Sequence, residues 1–452
     1  MTLAAVPYNN LEAGNDRTSP RLVGMARANN AVARGLDAVG VNPALLSIPH
    51  RANVEISLMP AGVRFGSNFL DYRMYNAYFT GVDDPVTGDR VAKHLSPQDK
   101  QNIIDSFPNG TGTIHADAQI LWFGMSFRAA RTGGFAFTIS DRFSMNFTMP
   151  NDYVRMLLDG FSESGSTYDF SGTDAHSWWV REYALSYATP RLHLVPFLPW
   201  VSFGGSVKRV DGYAYFGTGS YEGYISNKGF EDGFMLAGEM NMTTRRASAG
   251  FIYDPDMYDF DPISTPAGSG WGFDLGIAAG VSGAVTIGLS VTDVGTIRWT
   301  ENTYSSSGTA TVEIDDIFSK EQRDSLRNAY SGHDEAIGAF NTSLPTAVRA
   351  GVSWQVNRKL IVAADYTQGL NNMPANTTTP RAAFGMEWRP FGFLPVRSGI
   401  AVGGHDGFTW AFGFGFNIVI FDLEIATENI GLLVYPDASK QASVTVGTKF
   451  RF

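Results

Sequence analysis

The carboxyl-terminal stretch VTVGTKFRF, residues Val444 to Phe452, decides the fold. At a period of two residues, one face carries Thr445, Gly447 and two basic residues. The other, largely apolar face carries Val444, Val446, Thr448, Phe450 and Phe452. This alternation predicts a β-strand with one apolar and one polar face. A soluble antiparallel sheet can also end in such a strand, so the rest of the chain has to distinguish the two.

The composition favours a barrel that crosses a membrane. The 452 residues include 49 glycines, 13% aromatic residues and 17% charged residues, whereas a typical soluble domain has about 25% charged residues. A helical membrane protein would need apolar runs of about 20 residues, and the sequence contains none. In a transmembrane barrel, lipid-facing residues alternate with lumen-facing ones, so long apolar runs are not required.

Cysteine content and charge exclude several other classes. The chain has no cysteine, which excludes disulfides and thiolate metal sites. The net charge of −10 and the lack of a basic cluster in the sequence argue against nucleic-acid binding. We expect a location in the bacterial outer membrane. The start MTLAAVPYNN is not a complete signal peptide, so an exported chain of this sequence would be a mature or truncated form.

The second half of the chain repeats the alternation of its last strand. In 409–417, Trp410, Phe412, Phe414 and Phe416 alternate with alanine, glycine and asparagine. The same pattern recurs in 271–277, 285–292, 347–356 and 382–389. A soluble sandwich also alternates, but it seldom places so many Trp and Phe on one face opposite Gly, Ser, Arg and Glu. The repetition therefore favours strands that face lipid.

Counting strands back from Phe452 gives a consistent topology, because bacterial barrels have short periplasmic turns and long outer loops. The long connections that this count places outside are 69–112, 151–176, 218–269 and 300–344. The sequence predicts an all-β fold, an antiparallel transmembrane barrel of about 14 strands over 53–452, with the segment 1–52 on the periplasmic side. The loop 218–269 contains a further alternating pair, which either raises the count to about 16 or forms a hairpin above the barrel.

Short helices are predicted in the outer loops at 96–107, 152–158 and 320–330. Ser96 provides an N-cap in front of Pro97, and proline is favoured at the first position of a helix. Ser319 and Gln322 have the spacing of a capping box. These helices either cover the outer mouth of the barrel or only pack the loops.

The last strand also resembles the assembly signal of outer-membrane barrels, which is a polar residue, a glycine and two aromatic residues at fixed spacing. The matching residues here are Thr445, Gly447, Phe450 and Phe452. The resemblance implies recognition by the barrel assembly machinery and a final location among outer-membrane lipids. We expect Phe450 and Phe452 to lie in the aromatic girdle at the inner interface.

The N-terminal segment is rich in glycine and alanine and lies directly before the first predicted strand. It places an acidic residue ahead of Asn-Pro-Ala and an apolar residue, namely Asp37, Asn42, Pro43, Ala44 and Leu45. This pattern resembles the hatch of the FadL-like superfamily, which includes long-chain fatty-acid transporters and PorV-type secretion accessory barrels. The stretches 272–276 and 291–295 resemble two strands of this superfamily, and in combination they are most similar to a FadL-like branch of unassigned function. The resemblance implies that residues 1–52, which we call the plug, fold inside the barrel.

Two groups of charged residues are candidate sites. Asp254, Asp256, Asp259 and Asp261 lie in a predicted outer loop and form either a Ca²⁺ site or a solvated acidic loop. Five further charged residues fall on the predicted lumen face: Asp274, Arg349, Glu387, Arg389 and Arg397. They either pair, with one another or with the plug, or line a polar permeation path.

The resemblance implies two functions. In the first, the barrel binds or moves a hydrophobic small molecule, with a bound lipid or fatty acid as an example, past the plug. In the second, the outer loops dock a secreted, surface or filament protein and nothing is transported. The sequence has no nucleophile elbow, phosphate loop or dinucleotide motif in a fitting context. We therefore expect no enzymatic activity and no cofactor other than the Ca²⁺ considered above.

Overall fold

The computed structural model describes residues 19–452 except 85, 162–164, 230–234, 251–264, 315–329 and 405–406. Asp254, Asp256, Asp259 and Asp261, proposed above for Ca²⁺, lie outside these residues, as does nearly all of the predicted helix at 320–330. None of the helices in the described part of the chain has the length and apolarity needed to cross a membrane.

The described strands close into one antiparallel barrel with fourteen positions in its wall. The first position is shared by β1 (Val54–Leu58) and β2 (Ala61–Ser67). Both pair with β5 (Thr111–Ala129) on one side and with the last strand, β22 (Gln441–Arg451), on the other, which closes the wall. The predicted count of about 14 is confirmed.

The remaining wall strands follow one another in chain order. They are β6 (Gly133–Pro150), β8 (Asp174–Ala188), β9 (Trp200–Gly229), β11 (Gly268–Gly280), β12 (Val285–Trp299), β15 (Phe340–Ser343) with β16 (Ala347–Asn357) at one position, β17 (Leu360–Gly369), β18 (Arg381–Phe391), β19 (Leu394–Gly403), β20 (Phe408–Ile418) and β21 (Phe421–Thr427). Short strands β3 (Val82–Asp83), β4 (Arg90–Val91) and β7 (Thr167–Asp169) lie in the outer connections.

The described residues of the loop 218–269 add no strand to the wall. The first part of β9, from Trp200 to Gly212, pairs directly with β11. The second part, from Ala214 onward, is the upper part at the outer end of the barrel, and it pairs with β10 (Met235–Ser248). Strand β13 (Tyr304–Ile314) pairs with β10, and β14 (Tyr330–Ala336) pairs with β13. The upper part of β9 with β10, β13 and β14, which we call the outer sheet, therefore extends beyond the wall. Of the two arrangements predicted for this loop, the one above the barrel is found.

The wall strands alternate between the two faces as predicted. In β11, Trp271, Phe273 and Leu275 point outward and are about half exposed, while Gly272 and Asp274 are buried on the lumen side. Large apolar side chains on the outside match a lipid environment, because burying them in the membrane interior is favourable. The lumen face, with its small and charged residues, is left to pack against the plug.

Short helices lie in the plug and in the outer loops. The α-helices are α1 (Pro20–Gly24), α2 (Tyr72–Tyr78), α3 (Pro97–Asp105), α4 (Asp152–Asp159) and α5 (Gly431–Val434), and the 3-10 helices are Gly35–Ala38, Pro43–Ser47, Pro108–Gly110 and Pro436–Ala438. The predicted helices near 96–107 and 152–158 are confirmed as α3 and α4. At the start of α3, the Asp99 amide donates to the Ser96 hydroxyl, and the Ser96 amide donates to the Asp99 carboxylate.

Candidate functional site

The plug lies inside the barrel and is buried along most of its described length. Leu22, Met25 and Leu45 are at most 1% exposed. The segment contains α1 and two 3-10 helices separated by tight turns, and its many small residues let the backbone approach the wall. Such a compact, irregular segment has its polar backbone groups surrounded by protein, so they need partners on the wall.

Asn42 connects the plug to two wall strands. Its side-chain amide donates to the carbonyl of Ile277 on β11 (3.2 Å) and to that of Leu289 on β12 (3.4 Å). Its side-chain oxygen accepts from the amide of Ala44 (3.2 Å), which caps the 3-10 helix Pro43–Ser47. Pro43, Ala44 and Leu45 are buried in this helix. Four of the five plug residues singled out from the sequence therefore lie together against the wall.

Asp37, the fifth of these residues, lies on another side of the plug. Its carboxylate accepts from the Ser19 hydroxyl (2.6 Å) and pairs with the Lys449 ammonium group of the last strand (2.5 Å). Both charged side chains are at most 10% exposed. Removing one member of a buried ion pair leaves the other charge uncompensated. The pair therefore binds the plug to β22, whose sequence carries the predicted assembly signal.

The residues of that predicted signal lie on both faces of β22. Thr445 and Gly447 face the lumen, and a methyl group added at Gly447 would lie 2.9 Å from Pro20 of the plug. The rings of Phe450 and Phe421 pack in a tilted arrangement with their centroids 5.3 Å apart. The side chain of Phe452 is 63% exposed. The glycine therefore makes room for the plug. Recognition of these residues by the assembly machinery stays a prediction.

Glycines on the wall allow the plug backbone to approach closely. A Cβ atom at Gly204 of β9 would lie only 2.2 Å from the amide nitrogen of Ala44, and one at Gly276 of β11 would lie 2.1 Å from the Asn42 side-chain oxygen. Real Cβ atoms do not approach other heavy atoms so closely. At these two positions the glycine is required by the position of the plug.

We predict that Gly204→Ala destabilises the folded barrel by about 1–3 kcal/mol, the usual cost of overpacking a close-packed contact. The adjacent glycine provides a matched control, because a Cβ at Gly205 would meet its nearest neighbour at an ordinary 3.6 Å. Urea unfolding in detergent micelles measures the free energy, and limited proteolysis reports release of the plug. Equal free energies of unfolding for Gly204→Ala and the control Gly205→Ala would contradict the tight packing at Gly204.

The predicted lumen charges Glu387, Arg389 and Arg397 form one cluster with the plug. Glu387 accepts from Arg397 Nε (2.7 Å) and Arg21 Nε (3.0 Å), and its other oxygen pairs with Arg389 (2.8 Å). Arg397 also pairs with Glu424 (2.7 Å). Sequence reasoning missed Arg21 and Glu424. The signal available for Glu424 was its place, together with Asp422, on the polar face of its strand.

Asp274 and Arg349 belong to other contacts higher in the lumen. Asp274 pairs with Lys208 of β9 (2.6 Å), and Lys208 also pairs with Asp293. All three side chains are fully buried. Arg349 donates to the Thr292 hydroxyl (2.7 Å). Sequence reasoning missed Lys208 and the role of Asp293, which was noted only as part of a motif. Asp274 and Arg349 thus contact wall residues, and both alternatives for the lumen charges stay predictions.

Aromatic side chains pack together in the outer half of the lumen. Trp178 and Trp299 are at most 1% exposed, and the rings of Tyr215 and Trp299 are 5.5 Å apart. Phe340 packs on the same cluster, and the Trp299 indole donates to the Thr342 hydroxyl (2.9 Å). From outside to periplasm, the lumen thus holds an aromatic layer, a network of ion pairs and the plug.

A small chamber of about 70 Å³ lies between the plug and the wall. Leu22, Leu36 and Val39 of the plug line it, together with Pro60 and Leu121 of the wall. Polar and charged side chains complete most of the lining: Ser19, Asp37, Ser57, Gln119, Thr138, Ser140, Asp422, Glu424 and Lys449. The first wall strand is interrupted beside it, between β1 and β2, where Met59 has a positive φ of 53°. Strand β5 has an irregularity in register directly after Leu121. The chamber therefore adjoins the part of the wall where regular pairing is broken.

One family model and several solved structures resemble this chain. A model of a family of unknown function, DUF5723, matches residues 47–428, and no curated protein matches. The toluene transporter TbuX of Ralstonia pickettii is 14% identical, with 98% of this chain and 99% of that chain covered and a TM-score of 0.47. The toluene transporter TodX of Pseudomonas putida is 12% identical, with 98% of this chain and 99% of that chain covered and a TM-score of 0.49.

A FadL homologue of Pseudomonas aeruginosa is 12% identical, with 98% of this chain and 100% of that chain covered and a TM-score of 0.46. The family match confirms the predicted relation to a branch of unassigned function. Identities and scores in this range assign no activity, and the barrel assignment rests on the strand pairing described above.

Proposed function

The chain belongs to DUF5723, a family of unknown function, and we propose that it binds a small hydrophobic molecule between its plug and its wall and lets that molecule pass the plug. The coarser statement, that it is a barrel of the outer-membrane type, follows from the closed wall and its apolar outer face. The finer statement is argued from the chamber.

The chamber supports this proposal because apolar side chains meet there from both sides. Leu22, Leu36 and Val39 face Leu121 and Pro60, so an apolar molecule would lose water on entry and gain contacts. The charged groups that border the same space all have partners: Asp37 pairs with Lys449, Glu424 with Arg397 and Asp422 with Arg451. The interruption between β1 and β2 is the nearest irregularity in the strand pairing, and it gives a direction for release toward the membrane.

The size of the chamber implies movement. At about 70 Å³ it is far smaller than the 300–1,000 Å³ of usual ligand sites. A molecule of more than a few heavy atoms therefore needs the plug to shift. The proposed mechanism is capture at the outer mouth, displacement of part of the plug and release beside the first strand.

Leu121→Trp tests the proposal by filling the chamber from the wall. We expect uptake of radiolabelled benzene and decane by expressing cells to fall about 10-fold, toward the level of cells without the protein, since a site filled by an indole loses most of its binding energy. The control is Leu185→Trp, because Leu185 is 62% exposed on the outer face of β8. Amounts of folded barrel are matched on unheated gels, and unchanged uptake in Leu121→Trp would contradict the proposal.

The second candidate function, docking of a secreted or surface protein, is favoured by the outer sheet. Among the described strands, β14 pairs only with β13 and so leaves one edge available. An open edge is a template to which an extended segment of another protein can add. Co-purification of a partner from native membranes, lost when the outer sheet is deleted, would favour docking. The Ca²⁺ site proposed for the loop beyond β10 stays a proposal.

A further inference from the structure

A second cavity, of about 420 Å³, lies on the periplasmic side of the plug, and we call it the vestibule. The plug forms its inner boundary, and the short turns at 282–284 and 358–359 form part of its rim. Among the described residues that line it, nine are Lys or Arg and three are carboxylates, Asp37, Glu55 and Glu387. This excess of positive charge contrasts with the net charge of −10 for the whole chain.

Four of the nine cations form ion pairs. Arg21, Arg389 and Arg397 share the Glu387 carboxylate at 2.7–3.0 Å. Arg451 pairs with Asp422 and lies 3.5 Å from Glu55. These ion pairs account for the structural part of the vestibule, the part that holds the plug in the barrel.

The other five cations have no carboxylate partner. They are Arg34, Arg51, Arg191, Arg358 and Lys359, and in the described part of the chain none of them forms an ion pair. Three of them donate hydrogen bonds to backbone carbonyls instead. Arg34 donates to Ala33 (2.6 Å), Arg51 to Gly392 (2.5 Å) and Lys359 to Pro390 (3.0 Å). Like charges held together in this way repel one another unless an anion lies between them.

Arg34 distinguishes this arrangement from ordinary binding of lipid headgroups. Basic residues on periplasmic turns can reach the headgroups of the inner leaflet, and Arg191, Arg358 and Lys359 lie on such turns. Arg34, however, belongs to the plug inside the barrel, and its side chain is part-buried. Burial and the neighbouring Arg21 lower the pKa of Arg34 to about 9. A bound anion would relieve that repulsion.

We propose that the vestibule binds a small molecule that carries two or more carboxylate or phosphate groups. Its volume lies within the usual range for small-molecule sites. Guanidinium groups donate paired hydrogen bonds to both kinds of oxyanion, so the shared chemistry is recognition of a multivalent oxyanion. The vestibule is separated from the small chamber by the plug, so the inference goes beyond the proposed function and does not depend on it.

Titration calorimetry of the purified full chain in a nonionic detergent tests this inference. The probes are inorganic pyrophosphate and citrate at constant ionic strength, with glycerol as the neutral control. We expect one saturable site for at least one of the two anions and none for glycerol. The two probes distinguish a phosphate ligand from a carboxylate ligand, since preference for one identifies the source of the oxyanion.

Two variants locate the site. Arg358→Gln with Lys359→Gln, on an exposed turn, and Arg34→Gln, in the plug, are each expected to weaken binding about 10-fold. The control is Arg73→Gln with Arg90→Gln, which removes equal charge from exposed residues of the outer loops, and binding should stay within about 2-fold. Heat-dependent gel mobility verifies folding of each variant.

Three results would overturn the inference. They are no saturable binding of either anion, equal weakening by the outer-loop control, and saturable binding of a polyglutamate peptide without binding of the small anions. The last of these would assign the vestibule to an acidic segment of a protein.

Discussion

Glu387→Gln is expected to destabilise the barrel by about 3–5 kcal/mol, the usual effect of removing one member of a buried ion pair. Glu387 and Arg397 are each 1% exposed, and Arg21 and Arg389 share the same carboxylate. A neutral amide still accepts hydrogen bonds, but it cannot compensate the three positive charges. Of these, Arg397 retains Glu424 as a partner. The plug should detach from the wall first, because Arg21 is the plug residue that pairs with Glu387.

Urea unfolding in detergent micelles, followed by tryptophan fluorescence, measures the change in free energy. Glu239→Gln is the matched control, because Glu239 is exposed on the outer sheet, and such a change usually costs within about 0.5 kcal/mol. Adding Arg389→Gln to Glu387→Gln removes one of the unbalanced charges and should restore part of the stability, a non-additive result expected of residues in contact. A loss no larger than that of Glu239→Gln would show that the cluster is hydrated and of little importance for stability.

The barrel could be predicted from the sequence because its rules are local. Alternation has a period of two residues, and the side on which each connection lies follows from counting strands back from Phe452. The outer sheet could not be predicted in the same way. Strand β9 continues for 30 residues, and its partner changes between Gly212 and Ala214 from β11 to β10. That change is a property of tertiary pairing and leaves no break in the alternation.

The candidate site was predictable residue by residue but not as a set of contacts. The polar face of a strand indicates that Glu387 and Arg397 point inward, yet Arg21 is 366 positions from Glu387, and Asp37 is 412 positions from Lys449. Periodicity carries no information over such separations. The vestibule escaped prediction for the same reason, because its unpaired cations come from the plug and from separate turns and form no basic cluster in the sequence.

A disulfide between plug and wall is expected to abolish uptake of hydrophobic compounds if the plug has to move. The hydroxyl oxygens of Ser47 in the plug and Ser202 on β9 are 2.8 Å apart, so cysteines at these positions can form a disulfide with little rearrangement. The chain has no cysteine of its own, and no other thiol competes. In Ser47→Cys with Ser202→Cys, uptake of benzene and decane should fall to background after oxidation and return on reduction.

The wall itself provides the control for this cross-link. The hydroxyls of Ser186 on β8 and Ser206 on β9 are 2.7 Å apart, and both residues are buried. Cysteines at these two positions join neighbouring wall strands and leave the plug free, so oxidation should leave uptake unchanged. If the plug cross-link also leaves uptake unchanged, passage does not require this part of the plug to move. If neither the unmodified protein nor any variant takes up these compounds, the outer sheet becomes the better guide to function, because a docking barrel needs no passage through its lumen.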